Sequence, residues 1–192
     1  SLLNILGLKP VVLPLKEKEN FRINIEELQK KISNRTRLLI INSPHNPTGM
    51  TMGEEEVSGV AKLAKKNKIF VLSDEVYSKL VYGGTHHSPG VKDQCRQRTV
   101  ILNSLSKAYA MTGWRIGYLI APKELITKIK VLLRNTVFST PVFIQRAGIS
   151  ALTGDQRPLQ SMVKEYKKRR DFFVAGLNKL PGISCLLPKG AF

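Results

Sequence analysis

The stretch Asn103-Ser-Leu-Ser-Lys-Ala-Tyr-Ala-Met-Thr-Gly-Trp-Arg115 places a lysine and an arginine directly behind a predicted strand. The preceding apolar run, Thr99-Val-Ile-Leu102, is typical of a strand that is buried on both faces. Lys107 lies among serines, alanines and a glycine, whereas most other lysines lie in amphipathic helical patterns that face water. Crowding and partial desolvation favour an uncharged, nucleophilic amine. The stretch therefore predicts either a reactive lysine or a lysine that only caps a strand end.

Further apolar runs along the chain also predict strands. Leu38–Asn42, Ile69–Ser73 and Gly117–Ala121 are continuous runs, as expected of strands covered on both faces. Val11–Leu15 predicts another short strand, and its proline indicates an edge or an end.

Segments with helical periodicity lie between the predicted strands. Asn24 with Glu27, and Thr51 with Glu54, have the spacing of N-terminal capping boxes. Strands that alternate with helices predict an α/β domain with a mainly parallel sheet and flanking helices. Right-handed crossovers would then place the C-terminal end of every strand on one edge, where ligands bind in such sheets.

The stretch Thr153-Gly-Asp-Gln-Arg-Pro158 interrupts this pattern. A long amphipathic helix is predicted beyond it, from about Leu159 to Leu180, and Pro181-Gly182 ends it. Its expected inner side consists of Met162, Val163, Tyr166, Phe173, Val174 and Leu177. We therefore assign residues 1–154 to the α/β domain and residues 155–192 to a linker helix and the beginning of a smaller domain.

The charge of the chain is its most unusual bulk property. Its 31 Lys and Arg residues against 14 Asp and Glu residues give a net charge of +17. The cations are spread over several helices rather than gathered with aromatic residues in one stripe, so we expect a solvated basic surface and no nucleic-acid partner. No apolar run reaches the length of about 18 residues that a membrane span needs, so no membrane insertion is expected.

The cysteines and histidines predict no metal site. Cys95 and Cys185 are too few for a disulfide framework or a four-ligand zinc site, and we interpret them as free buried thiols of a cytoplasmic protein. His45, His86 and His87 lack metal-ligand spacing, and the adjacent pair is interpreted as loop surface.

Polar residues follow three of the predicted strands: Asn46 the first, Asp74 the second and Lys107 the third. A lysine can hold an aldehyde as a Schiff base, and a buried aspartate can keep a proton on a pyridine nitrogen. An asparagine and a tyrosine can hydrogen-bond a phenolate, while serines and an arginine can hold a phosphate. These are the requirements of pyridoxal phosphate.

The motifs at these strand ends resemble those of the class I/II pyridoxal-phosphate-dependent aminotransferases of fold type I. The resemblance is carried by Asn46-Pro-Thr-Gly49, Asp74-Glu-Val-Tyr77, Ser104-Leu-Ser-Lys107 and Gly113-Trp-Arg-Ile-Gly117, and it covers nearly the whole chain. Pro188-Lys-Gly-Ala-Phe192 resembles a motif of the small domain in the same family. Residues 1–154 would then be part of the cofactor-binding large domain, without its N-terminal portion.

The resemblance implies roles for the catalytic residues. Lys107 would be the Schiff-base lysine and then the base that moves the α-proton of the substrate. Asp74 would pair with the pyridinium nitrogen, while Asn46 and Tyr77 would hydrogen-bond the 3′-oxygen of the ring. Each residue also has an ordinary alternative: Asp74 as an ion-paired core carboxylate, Tyr77 as a packing aromatic, and Asn46 as a turn residue.

The resemblance also implies a phosphate site made of Ser104, Ser106 and Arg115, although Arg115 has the alternative of a salt-bridge partner. Three other family features have no counterpart here: a glycine-rich phosphate loop, an aromatic that stacks on the ring, and an arginine for the substrate carboxylate. We therefore expect a central fragment of a protein about twice this size. On its own it should bind cofactor poorly and turn over little.

The function implied is an aminotransferase that moves an amino group from an amino acid to a 2-oxo acid. Ala110-Met-Thr-Gly-Trp-Arg115 most resembles the prokaryotic-type aspartate aminotransferase branch, which favours aspartate or an aromatic substrate. A homodimer is expected from the family. A lyase or synthase with the same cofactor remains an alternative, as does an aminotransferase-like domain of a transcriptional regulator.

Overall fold

The fold is known from a computed structural model that describes residues 2–93 and 97–192. Within these residues a four-stranded sheet has the order β1-β2-β3-β4. Its strands are β1 Leu38–Asn42, β2 Phe70–Asp74, β3 Thr99–Ser104 and β4 Gly117–Ile120. The first three run parallel, which confirms the predicted mainly parallel sheet.

β4 runs antiparallel to β3, with Gly117 opposite Ser104. The expectation that every strand ends on the same edge is therefore wrong for β4. The connection between these strands contains only short helical turns, Leu105–Ala108 and Thr112–Trp114, rather than a crossover helix. The chain consequently re-enters the sheet at the edge where β3 leaves it.

The expectation that the strands are covered on both faces is wrong, because Ile40, Phe70 and Leu102 are exposed on one face of the sheet. Helices precede, separate and follow the strands. They are α1 Leu2–Ile5, α2 Ile25–Lys31, α3 Glu54–Asn67, α4 Gly90–Asp93, α5 Leu105–Ala108, α6 Lys123–Thr136, α7 Val142–Thr153 and α8 Arg157–Leu177. None of the helices in residues 2–93 and 97–192 combines the length and the apolar character that a membrane span requires.

The two predicted capping boxes have different outcomes. The Asn24 side chain accepts a hydrogen bond of 3.0 Å from the Glu27 N–H and caps α2, as predicted. α3 is instead capped at Gly53, whose N–H donates to the Glu56 carboxylate at 2.9 Å. The box predicted at Thr51 is wrong because α3 begins later, which makes Glu56 the residue that reaches back.

The main core lies between α3 and the sheet. Val57, Val60 and Ala64 on one face of α3 pack with Ile41 of β1 and Val71 of β2, and all five side chains are buried. This face has the i, i+3, i+7 spacing predicted from the sequence. Since β1 and β2 are fixed by this core, the loops that leave their carboxyl ends start from a rigid platform.

Two features of the periphery differ from the sequence-based expectation. Val11–Leu15 forms no strand, because the segment does not pair with the sheet, although Leu13 packs against the main core. Phe173 is 64% exposed while its neighbour Val174 is 7% exposed, so the buried stripe of α8 passes through Val174 alone at this point. Beyond α8, an isolated bridge joins Gly190 to Val81.

Candidate functional site

The carboxyl ends of β1 and β2 lie level with each other, and β3 extends two residues beyond them. Asn42 is the register partner of Asp74, and Asp74 is the register partner of Leu102. The loops after these strands therefore begin side by side and carry the predicted site residues, as parallel strands require.

The loop after β1 is hydrogen-bonded to the turn after β2. The Asn46 side-chain amide donates to the Tyr77 hydroxyl at 3.1 Å, and the Tyr77 ring is buried. The Asn46 N–H donates to the Asn42 side chain at 2.9 Å, and that side chain in turn donates to the Asp74 backbone oxygen at 3.0 Å. Asn46, which is itself exposed, is thus tied to both neighbouring strands.

Asp74 ends β2 and is half-buried. One of its carboxylate oxygens accepts the Val76 N–H at 3.2 Å, which fixes the turn that leads to Tyr77. Among the described residues no salt bridge involves Asp74. The alternative of an ion-paired core carboxylate therefore has no support in this structure.

Lys107 is half-buried on the single turn α5, and two aromatic rings flank its amine. The Nζ atom lies 5.1 Å from the centroid of the Phe192 ring and 5.8 Å from that of Tyr77. The two rings meet edge to face with centroids 5.4 Å apart. The Lys107 amine therefore lies beside the residue that also holds Asn46.

Ser104 and Ser106 form a compact pair of hydroxyls. Their oxygens are 2.9 Å apart, and the Ser104 oxygen also accepts the Ser106 N–H at 3.1 Å, which caps α5. Arg115 is exposed, and its guanidinium donates to the Thr112 backbone oxygen at 2.9 Å. Among the described residues no hydrogen bond joins Arg115 to either serine, so the structure brings the two hydroxyls together but not the arginine.

A buried polar cluster that the sequence analysis missed lies next to Asp74. The Glu75 carboxylate accepts hydrogen bonds from the Ser73 hydroxyl at 3.0 Å and the Ser88 hydroxyl at 2.6 Å, and it lies 2.9 Å from His86 Nε2. The interpretation of His86 as loop surface is wrong, because its side chain is only 13% exposed. The signal was present in Ser73 and Glu75, which alternation along a strand places on one face.

Phe192 connects the site to α8. Its ring stacks on Tyr166 with centroids 5.3 Å apart and an interplanar angle of 15°. The sequence analysis singled out the motif that ends in Phe192 but gave this residue no part in the site. Its place depends on the return of the chain to the sheet after α8, which no local pattern encodes.

The remaining titratable and metal-ligating candidates lie outside this group. Burial lowers the pKa of His45, whose ring nitrogen lies 2.8 Å from the Thr48 hydroxyl. Cys185 is free and half-buried rather than buried, and Cys95 lies outside the described residues. In residues 2–93 and 97–192 no cluster of His, Cys, Asp or Glu is arranged to hold a metal ion.

Comparison with known proteins identifies the family. The family model described as aminotransferase class I and II matches residues 1–192. An aspartate aminotransferase of Musicola paradisiaca is 40% identical over 185 residues, which are 96% of this chain and 46% of that protein. An arginine–pyruvate transaminase of Pseudomonas aeruginosa is 37% identical over 184 residues, covering 96% of this chain and 47% of that protein.

A solved structure of similar fold is also named as an aminotransferase. The aromatic aminotransferase from Pyrococcus horikoshii superimposes with a TM-score of 0.90 at 34% identity, over 96% of this chain and 50% of that one. The chain thus spans about half the length of the relatives that it matches. Its mixed, mostly parallel sheet is that of fold type I. With one edge of this sheet carrying the lysine, the aspartate and the asparagine–tyrosine pair, the chain belongs to the class I and II aminotransferases.

Proposed function

We propose that the protein is a pyridoxal-phosphate-dependent aminotransferase, which moves an amino group from an amino acid to a 2-oxo acid. Family membership supports this proposal, and so do the names of the relatives. The observation that carries it is the place of the Lys107 amine beside Tyr77, the residue that is hydrogen-bonded to Asn46.

The donor set fits the proposed cofactor. When bound, pyridoxal phosphate supplies an aldehyde that reacts with amines and a ring that takes up the electron pair of a bond broken at the substrate Cα. Lys107 would be the amine of the site, and its Nζ would also accept and return the substrate α-proton. Asp74 would hold a proton on the ring nitrogen, while the Asn46 amide and the Tyr77 hydroxyl would bind the phenolic oxygen.

The phosphate is assigned to Ser104, Ser106 and Arg115. The two hydroxyls are in mutual contact, and both can donate to phosphate oxygens. Arg115 uses one donor on the Thr112 carbonyl, which leaves most of its five N–H groups for an anion. Of these three assignments, that of Arg115 depends most on a side-chain rearrangement.

The substrate proposal is an acidic or aromatic amino acid. It is supported by relatives that are named for aspartate and by a structural neighbour that is named for aromatic substrates. One relative is instead named for arginine and pyruvate. Because the relatives are about twice as long, we expect residues 1–192 alone to bind the cofactor weakly.

The domain boundary, the dimer and the location belong to the same proposal. Residues 1–154 are assigned to the large domain and residues 155–192 to a linker helix with the beginning of the small domain. The break between α7 and α8 at Gly154 supports this boundary.

We also propose a cytoplasmic location and a homodimer. Native mass spectrometry of the full-length protein tests the homodimer.

Amino-group transfer is tested by its need for an acceptor. The full-length protein is loaded with pyridoxal phosphate and given aspartate or an aromatic amino acid, with and without a 2-oxo acid. We expect the new amino acid to form over many turnovers only when the 2-oxo acid is present. Continuous consumption of the donor amino acid without a 2-oxo acid would contradict transamination and would indicate a lyase.

A further inference from the structure

We propose that Arg170 is a positioning residue that holds the segment Pro188–Phe192 in place and thereby keeps the Phe192 ring on the Lys107 amine. This inference rests on the proposed function, because it concerns how the reactive lysine is held. It adds to that function a residue on α8, far along the chain from every residue assigned above.

The segment Pro188–Phe192 is hydrogen-bonded to both loops that form the site. The Lys189 and Gly190 N–H groups each donate to the Gly49 oxygen at 2.8 Å, three residues after Asn46. The Ala191 N–H donates to the Leu80 oxygen at 3.0 Å, three residues after Tyr77. The segment therefore spans the two loops that the Asn46–Tyr77 hydrogen bond joins.

Arg170 fixes this segment from the other side. Its side chain is only 12% exposed, and it donates to the Pro188 oxygen at 2.6 Å and to Asp171 at 2.5 Å. Its guanidinium lies 4.9 Å from the centroid of the Tyr82 ring. The Tyr82 hydroxyl in turn donates to the Ala191 oxygen, and the Tyr82 N–H donates to the Lys189 oxygen at 2.8 Å. A planar cation that both stacks and donates suits this place better than a lysine would.

The segment ends on the ring that covers the amine. Phe192 lies between Tyr166 of α8 and Tyr77, and its centroid is 5.1 Å from Lys107 Nζ. An aromatic face attracts a cationic amine and limits its access to water. A displaced segment would take the ring away and leave the amine more open to solvent and to reagents.

Competitive labelling of Lys107 in the full-length protein without cofactor tests this inference directly. The protein is treated with trace acetic anhydride at constant pH, and mass spectrometry gives the acetylation of Lys107 relative to exposed Lys123 in the same digest. Arg170→Gln should raise this ratio about two- to fivefold, the factor that corresponds to one cation–π contact at a partly exposed site. Tyr82→Phe, which removes a single hydroxyl, should also raise the acetylation ratio. This second variant tests the inference if Arg170→Gln does not fold.

Arg169→Gln is the matched control, because Arg169 is 70% exposed and pairs with Glu165 along the same helix. It should leave the ratio unchanged. If Arg170 acts through Phe192, the double variant Arg170→Gln/Phe192→Ala should give the same acetylation ratio as Phe192→Ala alone. The inference would be overturned if Arg170→Gln and Tyr82→Phe both gave the acetylation ratio of the unaltered protein. It would also be overturned if Arg169→Gln raised the ratio as much as Arg170→Gln does, or if the effects of the two substitutions multiplied in the double variant. If the cofactor did not load on Lys107, the proposed function would be contradicted. The acetylation ratios would not change, because they are measured without cofactor.

Discussion

The Asn46 side-chain amide donates a hydrogen bond to the Tyr77 hydroxyl across 3.1 Å, and this bond joins the loops after two neighbouring strands. Both groups have been assigned to the same cofactor oxygen. The bond fixes the two groups relative to each other, and holding binding groups in place lowers the entropic cost of binding.

Tyr77→Phe removes this bond and keeps the buried ring. We expect a loss of about 0.5–1.5 kcal/mol in the free energy of unfolding, the net worth of one such hydrogen bond. Cofactor affinity should fall as well, since a ring-oxygen donor is lost. Urea denaturation and cofactor titration measure the two effects. Tyr118→Phe, which alters a partly exposed tyrosine of β4, is the control; equal losses in both variants would contradict the assigned role of Tyr77.

Gly49→Ala should displace the segment Pro188–Phe192. A Cβ at Gly49 would lie 2.4 Å from the Pro188 Cβ, and its φ of +68° also disfavours a side chain. Gly84 has a φ of +82° with nothing within 4 Å of the added carbon, so Gly84→Ala isolates the backbone cost, about 1–2 kcal/mol.

We expect Gly49→Ala to lose about 1–3 kcal/mol more than this control, as overpacking does. Urea denaturation of both variants gives the difference. Equal losses would mean that the contact between Gly49 and Pro188 contributes nothing to the fold.

Glu75→Gln should destabilise the protein by about 1–3 kcal/mol, because it weakens hydrogen bonds of a buried charge to Ser73, Ser88 and His86. Glu54→Gln is the matched control, since Glu54 is 69% exposed and pairs with Lys92 at 3.3 Å. That control should stay within about 0.5 kcal/mol of the unaltered protein. Thermal unfolding at neutral pH measures the stability of both variants. A Glu75→Gln variant as stable as Glu54→Gln would show that the cluster does not stabilise the fold.

His45 should make stability depend on pH below neutrality. Burial lowers its pKa in the folded protein, so the unfolded chain takes up the proton at a higher pH. The stability from neutral His45 is therefore fully present above the ordinary histidine pKa of about 6.5 and is lost as pH falls from there toward the lowered value. Replacing the ring by His45→Gln should reduce the loss of unfolding free energy between pH 7.5 and pH 5. Parallel curves for the two proteins would contradict this role.

Much of the sheet could be predicted because continuous apolar runs indicate strands, although such runs overstate burial where one face of the sheet is exposed. Leu38–Asn42 and Thr99–Leu102 lie where their patterns place them, and the loops after the parallel strands then share one edge as a matter of topology. Val11–Leu15 shows the limit of this reasoning, since a strand also needs a partner that the sequence pattern does not name. The direction of β4 was missed for a similar reason: it depends on how compactly residues 105–116 turn.

The candidate site was predictable in its residue types and not in its contacts. Lys107, Asp74 and Asn46 were identified from chemistry at strand ends. The Phe192 ring beside Lys107 and the His86 imidazole beside Glu75 are tertiary contacts across 85 and 11 residues of chain, respectively. Such contacts depend on where a returning segment packs, and an amphipathic pattern indicates only which face is buried.

The central claim is that Lys107 carries the cofactor, and reductive trapping tests it most directly. The full-length protein is incubated with pyridoxal phosphate, reduced with borohydride, digested and analysed by mass spectrometry, with Lys79→Ala as a control at an exposed lysine. We predict that the phosphopyridoxyl mass is found on the peptide with Lys107, that it persists in Lys79→Ala, and that visible absorbance disappears in Lys107→Ala. Stoichiometric label on another lysine, or an unchanged spectrum in Lys107→Ala, would contradict the account.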